Sequence, residues 1–314
     1  MTEQQTAPDA TTVPGTAAAT QHVMRDPRTQ YAQPEFDEQT DNAPGLASNM
    51  TPKPDHGETS YVGAGRLLGR KAVVTGGDSG IGRAAAIAFA REGADVLISF
   101  LPEEKSDADE VAELIRAAGR HAVLVPGDIS DEAICDEIIE TALTELGGID
   151  LLVNVAGGQQ AYEDISEITT EHFDHLYRTN VYALFWLCKK AVPHLPPGSS
   201  IINTSSVQAY EPSPTLVDYA STKAAINNFS KGLAGQLGPK GIRVNVVAPG
   251  PVWTPLQTTG GQPTEALPEF GAQTPLGRPG QPAELAAAYV FLASQESSYV
   301  TGSTISVTGG MPTP

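Results

Sequence analysis

From Lys71 onward short apolar runs alternate with longer stretches that are apolar on one helical face, whereas residues 1 to about 60 show almost no apolar periodicity. The runs at 71–74, 96–100, 123–125, 151–155, 200–203, 244–247 and 304–307 lack polar alternation. That is the pattern of strands buried on both faces of a parallel sheet. Between them the spacing predicts helices at 80–91, ended by Gly93, at 103–118, ended by Gly119, and from a Ser130 cap to about Leu146, closed by Gly147-Gly148. Further helices are predicted at 171–192, around Tyr219 as far as Gly238-Pro239, and from Pro282 as the first helical residue. Strand–helix alternation with right-handed crossovers gives an α/β, Rossmann-like doubly wound parallel sheet of about seven strands with an irregular N-terminal extension. Ligands of such sheets bind beyond the carboxyl ends of the strands.

The chain therefore divides into an extension, 1–64, and an α/β domain, 65–314. Pro8, Pro14, Pro27, Pro34, Pro44, Pro52 and Pro54 interrupt the extension too often for regular structure. Residues 1–20 are expected to be disordered. The stretch 25–61, with Tyr31, Phe36 and Tyr61, either lies extended over the domain or a neighbouring subunit, or is a solvated tail.

Charge narrows the partners. Nineteen Lys+Arg against 37 Asp+Glu give a formal net charge of −18, which opposes binding to nucleic acid or an anionic membrane. No apolar stretch reaches the ~20 residues of a membrane helix, and no secretory signal is visible, so a cytoplasmic protein is expected. Cys135 and Cys188 sit in apolar helical patterns and read as buried, reduced thiols. His172 and His175 are one turn apart without a third ligand, so no metal site is assigned.

Two constellations carry chemistry. Gly76, Gly80 and Gly82 follow a strand and open a helix, the context in which glycines let a pyrophosphate approach free backbone N–H groups. Of nine tyrosines, only Tyr219 has a lysine four residues on, Lys223, and Ser206 lies thirteen residues before it. Tyr219 and Lys223 share one helix face. A free tyrosine titrates near ~10, and a neighbouring ammonium is expected to lower that value and let the phenol exchange protons. Ser206 would polarise a substrate oxygen.

The glycine spacing with Tyr219-Ala-Ser-Thr-Lys223, Asp128, Asn154-x-Ala156-Gly157, Asn180 and Pro249-Gly250 resembles the short-chain dehydrogenase/reductase family, over about residues 65–310. The closest likeness is to its subgroup with a long N-terminal extension, the glucose/ribitol-dehydrogenase-like or general-stress oxidoreductases, on Thr51-Pro-Lys-Pro-Asp and Gly77-Asp-Ser-Gly80. The resemblance implies an NAD(P)-dependent oxidoreductase interconverting a secondary alcohol and a carbonyl, commonly a tetramer. It implies that Asn180, Ser206, Tyr219 and Lys223 form a proton relay, with Lys223 also holding ribose hydroxyls. The cofactor would lie against Gly76, Asp78, Ser79, Gly80, Ile81, Gly82, Asp128, Asn154, Ala156, Gly157, Tyr219, Lys223, Pro249, Gly250, Val252 and Thr254. Val155 replaces the usual second asparagine of the Asn-Asn-Ala-Gly turn, so altered local hydrogen bonding is expected. Phe100 stands where an acid would bind the ribose 2′-hydroxyl and no arginine replaces it, although Lys105 is close, so NAD versus NADP stays open.

Residues 251–280 form a Gly/Pro-rich insert, read either as a lid or as an ordered surface loop. Gln159, Gln160, Gln208, Tyr210 and Trp253 are placed near the substrate, and the amides favour a sugar or polyol. Apolar residues on several faces of the helices at 171–192 and 214–237 point either to a homo-oligomer or to burial against the sheet. Two other functions remain open: a non-catalytic NAD(P)-sensing regulator, disfavoured by the intact relay, and a sugar-nucleotide epimerase, disfavoured by the glycine spacing.

Overall fold

The computed structural model describes residues 20–313. Seven strands, β1 Lys71–Thr75, β2 Asp95–Phe100, β3 Ala122–Pro126, β4 Leu151–Asn154, β5 Ser200–Thr204, β6 Arg243–Pro249 and β7 Thr304–Val307, form one sheet in the order β3-β2-β1-β4-β5-β6-β7. Every pairing is parallel. The chain runs outward from β1 to β3, then returns to start β4 on the other side of β1. The crevice between β1 and β4 is thus the switch point at which a doubly wound sheet binds ligands.

Helices α1 Gly80–Arg91, α2 Lys105–Ala117 and α7 Pro282–Ala293 cover one face, with a core that includes Phe89, Ile98, Val111 and Tyr289. Helices α3 Glu132–Thr141, α5 Ala183–Ala191 and α6 Val217–Leu237 cover the other, around Ile138, Leu152, Leu187 and Ile226. Both cysteines are free and buried in this second layer. α3 is capped by Asp131, whose carboxylate accepts from Ala133 N at 2.9 Å, and not by Ser130. The helix starts one residue later than the spacing predicts, so the capping position falls on Asp131. The helix expected at 171–192 is two helices, α4 Thr170–Tyr177 and α5, joined by a π-turn at Arg178–Tyr182 that contains Asn180. Such widened turns collect at functional sites.

The expectation of disorder at 1–20 lies, but for residue 20, outside the described residues. The rest of the extension lies on the domain's own surface. Glu92, at the end of α1, accepts hydrogen bonds from the Tyr61 hydroxyl at 2.6 Å, from Ala64 N and Arg66 N, and from the Arg66 guanidinium. Burial opposes ionisation there, but these donors, Arg66 first, hold the Glu92 carboxyl down at about 2. Further along, Phe36 stacks on Trp253 with ring centroids 4.5 Å apart, Met50, Leu267 and Phe270 complete the cluster, and the Trp253 indole donates to Pro52 O at 2.8 Å. The 251–280 segment is therefore bolted to the extension.

Candidate active site

The glycine turn after β1 takes its shape from contacts that no larger side chain would allow. Gly80 sits at φ +51°, and a Cβ on Gly82 would lie 1.9 Å from the Gly76 carbonyl oxygen. The loop consequently packs flat, leaving the first turn of α1 open to a cavity of about 540 Å³. Gly76, Asp78, Ser79, Gly80, Ile81, Gly82, Asp128, Ala156, Gly157 and Thr254 all line it. Thr75 fixes the facing β4 turn: its hydroxyl accepts from Val155 N at 3.0 Å and from Ala156 N at 3.2 Å. The Val155 substitution thus leaves the turn intact.

A second cavity of about 130 Å³ continues from the first, sharing Ile81, Val155, Gly157, Gln159, Thr254 and Leu256. Ser206, Tyr219 and Lys223 line it together with Pro249, Gly250 and Val252. All three of the first group are at least nine-tenths buried. Ser206 accepts from Gln208 N at 3.1 Å, which orients its hydroxyl and leaves its own proton free to donate. Lys223 donates to Thr204 O at 3.2 Å, and its Nζ lies 5.3 Å from the centre of the Tyr219 ring. Asn180 is buried beside them: its Oδ1 accepts from Gly158 N at 2.8 Å, and its Nδ2 donates to Gly158 O and to Thr222 Oγ1, both at 3.0 Å. The π-turn delivers this side chain to the β4 loop, and a Cβ on Gly157 would meet Asn180 Oδ1 at 3.1 Å and Lys223 Nζ at 3.4 Å.

Protonation runs opposite to the expectation for Tyr219. Burial pushes its phenol up to about 12 against a smaller downward pull from the hydrogen bond with Ser206, and burial lowers Lys223 to about 8. Desolvation disfavours both charged forms, and the ammonium, bonded to Thr204 instead of to the phenol, does not offset it.

Three expected site residues lie elsewhere. Asn154 points into the sheet, donating to Asn203 Oδ1 at 2.8 Å, and lines neither cavity. Trp253 is fully buried in the extension's cluster. Tyr210 lines neither cavity. Gln159 and Gln208 do line the smaller one, and Gln160 the larger. Gln257 and Gln262, which the sequence did not single out, add two more amides. Glu104 and residues 43–45 of the extension, also not singled out, line the other end of the larger cavity. Nothing in the sequence pattern marks 43–45, because only the fold brings them back across the sheet edge.

An open helix N-terminus, a glycine cradle at the switch point and a buried Ser/Tyr/Lys group define a dinucleotide-binding α/β oxidoreductase site. A family model described as enoyl-(acyl carrier protein) reductase matches residues 76–312. The chain is 58% identical over 293 residues to the uncharacterized oxidoreductase YhxD of Bacillus subtilis (strain 168), covering 92% of this chain and 98% of that protein. It is 42% identical over 275 residues to a glucose and ribitol dehydrogenase of Daucus carota, covering 86% and 94%. A solved short-chain dehydrogenase from Burkholderia cenocepacia, in complex with NADP, superposes with a TM-score of 0.73 at 32% identity, covering 78% of this chain and 98% of that one. The chain belongs to the short-chain dehydrogenase/reductase family, whose cofactor is NAD or NADP.

Proposed function

We propose that the protein interconverts a small hydroxylated alcohol, of the sugar or polyol class, and its carbonyl through Ser206, Tyr219, Lys223 and Asn180. The observation that carries this reading is the convergence of Ser206, Tyr219 and Lys223 on a cavity continuous with the glycine cradle. The cradle fits a dinucleotide: Gly76 to Gly82 and the α1 N-terminus would hold its pyrophosphate, and Ala156, Gly157, Pro249, Gly250, Val252 and Thr254 its nicotinamide half. When bound, the nicotinamide exchanges hydride with the substrate carbon and, in its oxidised form, brings positive charge to the site.

The protein's own groups handle the proton. Ser206 donates to the substrate oxygen. Tyr219, once its own proton has left by way of Lys223, receives the hydroxyl proton as phenolate in oxidation, and as phenol supplies its proton in reduction. Lys223 keeps two N–H groups beyond the one given to Thr204, enough for a ribose hydroxyl and for stabilising phenolate. Asn180 holds the Gly157-Gly158 loop against Lys223 and so keeps the relay aligned. Burial excludes bulk water from all four.

The substrate class rests on the amides. Gln159, Gln208, Gln257 and Gln262 line the smaller cavity, and the buried Gln257 Oε1 has no hydrogen-bond partner. An acceptor left unpaired in a buried site is satisfied by a ligand hydroxyl. The name of the carrot relative points the same way. The test is turnover of sugars, polyols, aldehydes and ketones, followed by absorbance of reduced nicotinamide. Polyols or sugars should give the highest kcat/KM. Preference for long-chain or acyl-thioester substrates would contradict the assignment.

A further inference from the structure

We infer that the adenosine end of the larger cavity is a chamber for an unphosphorylated ribose, built by Asp78 and Glu104 and roofed by residues 43–45 of the extension, so that the protein selects NAD over NADP. This rests on the dinucleotide reading above and departs from the Burkholderia neighbour, which carries NADP. The position at the end of β2 at which an acid was sought is the apolar Phe100, which lines the cavity. The acids come instead from the glycine turn, as Asp78, and from the turn entering α2, as Glu104.

Asp78 is 1% exposed, lines the cavity, and its Oδ2 has no hydrogen-bond partner. A buried carboxylate oxygen without a donor is incomplete, and a ribose hydroxyl is the donor a dinucleotide brings to this place. Burial raises the carboxyls of both Asp78 and Glu104, and Asp78 raises that of Glu104 further. Near neutral pH the charge sits on Asp78, at about 6, while Glu104, at about 8, keeps its proton, and a 2′-phosphate would bring a charge of about −1.5 to −2 beside them. No lysine or arginine lines the cavity to offset it. Arg83 pairs through Nη2 with Glu58 at 3.1 Å and Glu110 at 2.9 Å and does not line the cavity, and Lys105 pairs on the surface with Asp109 at 2.6 Å. His172 and His175 also line the cavity, but from α4, across the switch point from the adenosine end.

The roof narrows this end of the cavity. Ala43, Pro44 and Gly45 bound the cavity. Ala47 N donates to Asp107 Oδ2 of α2 at 2.8 Å, and Asp41 N donates to Thr258 O at 3.0 Å. A Cβ on Gly45 would stand 2.5 Å from the Thr259 methyl. The strap is thereby tied to α2 on one side and to the 251–280 segment on the other, and both ties use groups absent from a bare dinucleotide-binding domain.

The experiment is calorimetric titration of the full chain with NAD, NADP, adenosine 5′-monophosphate and adenosine 2′,5′-bisphosphate, without substrate. The expected result is that each unphosphorylated ligand binds at least about tenfold more tightly than its 2′-phosphorylated counterpart, the repulsion of added charge in a poorly screened site. Equal or tighter binding of NADP overturns the inference while leaving the dinucleotide reading intact. Binding of none of the four overturns both. Asp78→Asn should narrow the NAD/NADP affinity ratio near neutral pH, and Glu104→Gln should narrow it at about pH 9, where the Glu104 carboxyl is ionised. An unchanged ratio in both variants overturns the assignment to these carboxylates.

Discussion

Lys223 shows how the site trades stability for chemistry. Its ammonium titrates at 10.5 in an open chain and near 8 in the folded one. Between those values the unfolded chain holds the proton and the folded chain does not, so stability rises with pH from about 8 to 10.5 and the full cost is carried below pH 8. That cost is about 3 kcal/mol at neutral pH. Lys223→Met should therefore stabilise the cofactor-free protein at pH 7 by about 1–3 kcal/mol in urea unfolding, after loss of the Thr204 hydrogen bond is set against it. The same variant should lose turnover. A destabilised Lys223→Met protein would contradict this accounting. The spacing of Tyr219 and Lys223 was readable in the sequence because i, i+4 pairs meet on any helix. Their protonation was not, since it depends on how completely the β4 and β6 loops bury them.

At the scale of elements, the glycine turn and the strand ends were legible because each is a local pattern: an apolar run, a break, and a helix that needs small residues at fixed offsets. The extension was not, because its contacts are long-range. Trp253 illustrates this. A tryptophan in a Gly/Pro-rich loop beside the site reads as a substrate contact, yet it is the socket into which Phe36 and Met50 fit. Trp253→Ala should cost about 3–5 kcal/mol. It should also release residues 36–52 to limited proteolysis while Glu92 keeps its hold on Tyr61 and Arg66. Protection of 36–52 equal to that of the unaltered protein would show that the cluster does not anchor the strap. Asn154 makes the complementary point: its place in a recognisable turn was right, but a strand residue alternates faces, and its side chain turned into the sheet.

For the whole molecule, the doubly wound parallel sheet was legible in the alternation of strands and helices, but its order β3-β2-β1-β4-β5-β6-β7 was not, since the same alternation also permits a sheet that reverses after β2. Nor was assembly, since a helix apolar on two faces can bury either against its own sheet or against a second copy. The structure leaves Phe173, Tyr182, Phe185 and Val217 each more than 40% exposed on α4, the π-turn, α5 and α6. We expect this face to pair copies of the chain, because exposed apolar side chains gathered on neighbouring helices mark an interaction surface. Sedimentation should show an oligomer that Phe185→Glu shifts toward smaller species, and a monomeric unaltered protein would dispose of the idea. No helix among the described residues is long and apolar enough to cross a membrane.

The central claim is that Tyr219 moves the proton in an alcohol–carbonyl conversion. The direct measurement is single-turnover formation of reduced nicotinamide with saturating cofactor and the best alcohol from the panel, comparing the unaltered protein with Tyr219→Phe. The phenyl ring keeps the packing and removes only the hydroxyl. The account predicts unchanged cofactor affinity and a rate lower by about 10²–10⁴. A Tyr219→Phe protein that reduces the cofactor within a few-fold of the normal rate would contradict it.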